Sequence, residues 1–184
     1  ENAILANPSD LDNTGNMNTA VFEYSNYPYV TNSHKTVFSE VNIYTYGIVI
    51  EKYDTENPAK KLENAKFTLY RDAYADESTT ETIVVSGVSK KVVAVAKNLS
   101  TGASGIASFK YLEANGRNYN YYLVETATPT GYNLLTEPVT LNFTRNDVET
   151  DGTYIGYFAV EIANKSGFIL PVTGGTGTIL FTVC

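Results

Sequence analysis

A single cysteine, Cys184, stands at the last position of the 184-residue chain, so no intramolecular disulfide can form and no thiolate is available for a metal site in its body. Tryptophan is absent, and methionine and histidine occur once each. The lone His34 lies in a polar stretch with no serine or cysteine nucleophile motif beside it, which argues against Ser-His and Cys-His enzyme chemistry. Cations are scarce: 13 Lys+Arg face 20 Asp+Glu, and the net charge of −7 has the wrong sign for counterion-release binding to nucleic acid or for docking on anionic lipid. The apolar segment 179–183 is far shorter than the roughly 20 residues of a membrane helix. No G-x-x-x-x-G-K-[ST] element is present, and Gly102-Ala103-Ser104-Gly105 reads as a turn rather than a phosphate cradle. Asp10-Leu11-Asp12-Asn13-Thr14-Gly15 begins like a calcium loop, but Val21 stands where the bidentate glutamate belongs, and Asp147, Glu149 and Asp151 read as a solvated hairpin. Neither a metal nor a cofactor is expected.

What the chain does have is 15 Tyr and 8 Phe, with abundant Thr and Val, a composition that favours strands. Strand-like runs recur at 47–53, 65–71, 81–85, 92–96, 106–111, 119–126, 139–144 and 154–164, separated by turn chemistry such as Ser86-Gly87, Asn115-Gly116, Thr130-Gly131 and Asp151-Gly152. No run of ten residues keeps a helical period. The pattern predicts an all-β protein, an antiparallel β-sandwich over 47–168. Residues 1–46 hold only two strand-like runs, 20–24 and 37–46, around a linker at 25–35. Two strands cannot bury a core alone, so this segment reads as the end of an upstream β-domain. With no methionine or signal peptide at Glu1, the chain reads as an excised or processed piece.

Because alternate strand residues share a face, three strands each direct one polar group inward. Ile48 and Ile50 are followed on their face by Lys52; Tyr121 and Leu123 by Glu125; Phe158, Val160 and Ile162 by Asn164. Burial disfavours the charged forms, which would make Lys52 a free amine and Glu125 a neutral acid. A neutral amine is a nucleophile, and a protonated carboxyl bonded to an amide oxygen polarises that carbonyl. If Asn164 supplies the amide, ammonia leaves and an isopeptide bond remains, with rigid packing supplying the effective molarity. On the residues alone the simpler reading is a snorkelling lysine, an ordinary Lys-Glu ion pair and an asparagine cap.

Leu170-Pro171-Val172-Thr173-Gly174 resembles the LPxTG sorting pentapeptide of Gram-positive surface proteins, followed here by the start of an apolar segment. A second resemblance covers about residues 47–168. Lys52-Tyr53-Asp54, then Leu62-Glu63-Asn64-Ala65-Lys66-Phe67, then Val124-Glu125-Thr126-Ala127-Thr128-Pro129-Thr130-Gly131-Tyr132 are similar to the K-x-D, L-x-x-A-x-F and V-E-x-x-A/T-P-x-G-Y runs of CnaB-type domains in wall-anchored adhesins and sortase-assembled pilins. The resemblance puts Lys52 on the family's linking lysine, Glu125 on its catalytic glutamate and Asn164 on its linking asparagine. Glu63 and Asn64 depart from the small residues usual there, a change a surface turn should tolerate. Asn18 would be the linking asparagine of the upstream domain.

The resemblance implies a secreted stalk subunit at the cell wall or pilus of a Gram-positive bacterium, self-cross-linked rather than an enzyme with turnover. Its partners would be sortase and, through Thr173, a neighbouring pilin subunit or a peptidoglycan precursor. Residues 169–184 would be a truncated sorting signal. The alternative is a ligand-binding adhesin module of a monomeric wall-anchored protein, its host ligand unknown, with the segment 72–104 and its hairpin at Ser86-Gly87-Val88-Ser89 as the place where binding would reside.

Overall fold

The computed structural model of the protein describes residues 15–25, 29, 34–113, 120–150 and 152–167. Among these described residues ten strands run in order: β1 (Asn16–Ser25), β2 (His34–Ile43), β3 (Tyr46–Asp54), β4 (Lys66–Asp72), β5 (Glu81–Val85), β6 (Val88–Ser100), β7 (Ile106–Leu112), β8 (Tyr121–Ala127), β9 (Val139–Leu141) and β10 (Tyr157–Asn164). A 3-10 turn, Arg145–Asp147, is closed by a capping box in which the Thr144 amide and hydroxyl both donate to Asp147. Among the described residues no helix is long and apolar enough to cross a membrane.

The strands form a β10-β3-β7 sheet, a β5-β6-β4-β8-β9 sheet, and a separate β1-β2 pair. Their facing sides bury Ile48 and Ile50 from β3, Phe67 and Leu69 from β4, Phe109 from β7, Leu123 from β8 and Ile162 from β10, with Phe143 stacked between Tyr121 and Phe158. Each such side chain contributes about 1.5–3 kcal/mol relative to exposure. The inward alternation expected of β3, β8 and β10 is therefore the one observed.

Every pair is antiparallel except β3 and β10, which run parallel with Ile162 opposite Lys52 and Asn164 opposite Asp54. Parallel neighbours need a long crossover, and all the intervening strands supply it. Strand lengths also differ from expectation. β6 runs through Ser100 because Asn98 takes a left-handed conformation (φ 59°) at a bulge against β4, which breaks the alternation without ending the strand. β9 stops at Leu141, after which the chain turns so that Phe143 enters the core. Between β5 and β6, Ser86 and Gly87 both have positive φ (50° and 77°), the geometry of a type I′ hairpin.

β1 and β2 pair along their full lengths, from Asn16 opposite Ile43 to Ser25 opposite His34. Ser25, His34 and Lys35 thus lie in strands, where the sequence suggests a linker. Every residue of β2 is exposed, as expected of a pair with no core of its own.

Candidate functional site

The inward stripe of β3 ends in Lys52 and that of β10 in Asn164, and both are fully enclosed, at 0% and 1% exposure. Glu125 on β8, at 4%, reaches them across the sandwich. The Lys52 Nζ donates to Asn164 Oδ1 at 2.5 Å and lies 3.3 Å from Glu125 Oε1. The Asn164 Nδ2 donates to both carboxylate oxygens of Glu125, at 2.9 and 3.1 Å. The three predicted polar groups are in mutual contact.

The surroundings are apolar but satisfied. The Phe67 ring lies 5.6 Å from Lys52 Nζ, and the Leu135 amide donates to Glu125 Oε2 at 2.9 Å. Among the described residues the one buried side-chain polar atom without a partner is Thr45 Oγ1, which directly precedes β3 and is not one of the triad. Burial pushes the Lys52 amine below the ordinary lysine value of 10.5, and the neighbouring Glu125 opposes that shift without cancelling it. Isolated charges here would cost several kcal/mol each, so an amine, an amide and a carboxyl in one dry pocket hold one another in place.

One expectation is altered. Chemistry inferred from the sequence sets the glutamate against the amide oxygen, whereas here the carboxylate faces the amide nitrogen and the oxygen faces the amine. The Asn164 amide thus presents its N–H groups to the carboxyl oxygens and its oxygen to the amine. In this arrangement Glu125 contacts both the Lys52 and the Asn164 side-chain nitrogens.

Two features escape sequence reasoning. Thr128, just past the end of β8, accepts from Asn164 Nδ2 at 2.8 Å; its signal is its place three residues after Glu125 and directly before Pro129. The second is a bracket over the end of the pocket. Tyr132 donates its hydroxyl to Asp54 Oδ2 at 2.7 Å, and Asp54 Oδ1 accepts from the Glu56 and Asn57 amides. These bonds, the Tyr132 one foremost, hold the Asp54 carboxyl below its ordinary 3.8. Backbone bonds from Asn133 to Lys165 and from Thr55 to Asn164 tie the loop after β8 and the loop after β3 to the end of β10. The L-x-x-A-x-F run explains itself in the same corner: Leu62, Ala65 and Phe67 are buried, and Thr101 fixes the turn by donating to the Leu62 carbonyl and accepting from the Ala65 amide. Glu63 and Asn64 are exposed there, and Asn64 adopts the positive φ (64°) that asparagine tolerates.

Asn18 lies in β1 opposite Val41 with an exposed side chain. Leu170, Pro171, Val172, Thr173 and Gly174 lie outside the described residues. Among those described, no group of three His, Cys, Asp or Glu side chains is placed to hold a metal.

Residues 46–154 match the SpaA family of prealbumin-like fold domains. The chain belongs to that family. It is 27% identical over 163 residues to fimbrial subunit type 1 of Actinomyces viscosus, a match covering 75% of this chain and 29% of that protein. Its fold is similar to the full-length major pilin SpaD of Corynebacterium diphtheriae (TM-score 0.58, 24% identity, 82% of this chain and 39% of that one). It is also similar to BcpA, the major pilin subunit of Bacillus cereus (TM-score 0.54, 20% identity, 85% and 40%). The SpaA-family chain thus spans less than half the length of these relatives.

Proposed function

We propose that this SpaA-family domain is a structural stalk module of a fimbrial or pilus subunit on a Gram-positive cell surface, locked by an autocatalytic isopeptide bond between Lys52 and Asn164. The observation that carries the reading is the enclosed contact of amine, amide and carboxyl at Lys52, Asn164 and Glu125. Similarity to fimbrial and pilin subunits supports the setting.

The chemistry balances within the triad. The Lys52 ammonium passes a proton to Glu125, and the neutral Nζ attacks the side-chain carbonyl carbon of Asn164. Glu125 hands its proton to Nδ2, the carbon–Nδ2 bond breaks, and ammonia leaves. The second Nζ proton returns to Glu125 and then leaves the pocket. One C–N bond replaces another, with no external reagent, and the event happens once per molecule. Oriented, water-excluded packing replaces the activation that a free lysine and asparagine lack.

The sorting pentapeptide Leu170–Gly174 gives the module its attachment. A sortase cysteine would attack the Thr173 carbonyl, release the segment beginning at Gly174, and pass the acyl group to an amine of a neighbouring subunit or of a peptidoglycan precursor.

Intact mass of the purified chain beside its Glu125→Ala variant tests the locked state. The wild type should be lighter than its sequence by one ammonia, with a linked Lys52–Asn164 peptide recovered after digestion, and the variant should have full mass. A folded wild type at full sequence mass would return the three residues to ordinary structural roles. Thr173→Ala should abolish wall linkage; retained linkage would end the sorting assignment.

A further inference from the structure

The amide of Asn164 offers two N–H groups, and they face two different acceptors: the Glu125 carboxylate at 2.9 and 3.1 Å, and the Thr128 hydroxyl oxygen at 2.8 Å. Two N–H groups thus meet three acceptor oxygens, and the shortest of the three contacts is the one to Thr128. The Thr128 hydroxyl is itself oriented, donating towards the Asn133 carbonyl at 3.5 Å, which leaves its lone pairs for Nδ2. Pro129, directly after it, restricts the Thr128 backbone to extended conformations. Thr128 is itself half-buried, so its hydroxyl meets Asn164 at a partly covered position.

We propose that Thr128 is a further catalytic residue of the cross-linking reaction, acting as the acceptor that holds and stabilises the departing nitrogen of Asn164. This rests on the isopeptide reading above. In the ground state the Thr128 bond fixes the amide with Oδ1 towards the amine. As the carbonyl carbon becomes tetrahedral, Nδ2 loses its amide conjugation and takes the proton from Glu125. Its N–H groups then carry positive charge, and a hydrogen bond to a charged donor is about twice as strong as one to a neutral donor. The contact thus strengthens towards the transition state, the condition under which an interaction raises a rate. No proton is transferred to or from Thr128; ammonia departs between it and Glu125.

The test tracks linking in the full chain made by pulsed cell-free synthesis, sampled in time, quenched in acid and read by intact mass. Wild type and Thr128→Ser, which keeps the hydroxyl, should lose ammonia at comparable rates. Thr128→Val, nearly isosteric but without an acceptor, should be slower by roughly 10-fold or more, and Thr128→Ala should be slow as well. A merely structural Thr128 would instead lower the melting temperature without slowing the link. Melting of Thr128→Val and Thr128→Ser in a Glu125→Gln background, where neither links, separates the two effects. If Thr128→Val and Thr128→Ala link as fast as wild type, or if Thr128→Ser is as slow as they are, the role of Thr128 is overturned while the isopeptide reading stands. A folded wild type that never loses ammonia overturns both.

Discussion

Lys52 and Asn164, 112 residues apart, meet along a diagonal of the parallel β3–β10 ladder. Neither is the other's register partner: Lys52 stands opposite Ile162, and Asn164 opposite Asp54. The offset matters because a lysine side chain reaches further from the backbone than an asparagine's. Reaching forward along the strand lets Nζ arrive at the amide with its stem still packed among apolar side chains. Glu125 from the opposite sheet then closes the contact.

Asn164→Ala removes the proposed link together with the buried hydrogen bonds to Lys52, Glu125 and Thr128, so it should cost at least what the link contributes. By analogy with a disulfide closing a loop of about 100 residues, the link contributes roughly 5 kcal/mol, chiefly by restricting the unfolded chain. In a domain of this size that corresponds to roughly 15–25 °C in melting temperature. Calorimetry of the wild type and the variant checks it, and reducing agent should change neither.

The rate of linking should fall in acid. Burial holds the Lys52 amine below its ordinary 10.5, and attack needs that amine unprotonated, so the rate should rise as pH climbs towards the depressed value and level off above it. Glu125→Gln, which cannot shuttle a proton, should link negligibly at every pH. Timed intact-mass measurements over a pH series read both outcomes.

Asp54 makes a separate, acid-sensitive contribution. Its carboxyl sits below its ordinary 3.8, first because of Tyr132 and then because of the Glu56 amide. A carboxyl whose folded value is depressed stabilises the fold fully above its unfolded value and loses that contribution as pH falls through the folded one. Tyr132→Phe should therefore lower the melting temperature at pH ~6, with the difference shrinking below pH ~4. A difference that stays constant from neutral to strongly acidic pH would detach Tyr132 from Asp54.

Two glycines with similar φ should respond differently to alanine. Gly87 (φ 77°) has nothing near the position of an added Cβ, so Gly87→Ala meets only the left-handed backbone cost of about 1 kcal/mol. At Gly105 (φ 72°) the added carbon would press on the Lys52 carbonyl oxygen, and the Gly105 carbonyl accepts from the Lys52 amide at 2.8 Å. Gly105→Ala should cost more stability than Gly87→Ala and also slow the link, because the strand it displaces carries Lys52. Chemical denaturation together with intact mass separates the two variants.

The faces of the strands are legible in the sequence because alternation is a local property: Ile48, Ile50 and Lys52 reveal their shared side without any knowledge of what lies opposite. Neighbours are not. Nothing in the run from Tyr157 to Asn164 states that it pairs parallel to β3, since that pairing is set by how the intervening strands fold between them. The same limit applies to Thr128. It lies beyond the end of its strand, and its contact with Asn164 exists only because the loop through Leu135 folds back and ties itself to Glu125 and Lys165. β6 looks too short in the sequence because Asn98 interrupts its period without interrupting its pairing.

The parallel alignment of β3 and β10 also decides how the domain bears a pull. The chain enters the pair at Tyr46 and leaves it at Asn164, at opposite ends of two adjacent strands. Tension on the two ends therefore shears the β3–β10 ladder lengthwise instead of unzipping it bond by bond. A covalent tie at Lys52 and Asn164 would carry that tension from β3 directly into the outgoing chain, and everything between would hang outside the path of force. Such a module has almost no slack to give: stretched in series with others like it, it would behave as a short inextensible link, and extension would come from the connections between modules.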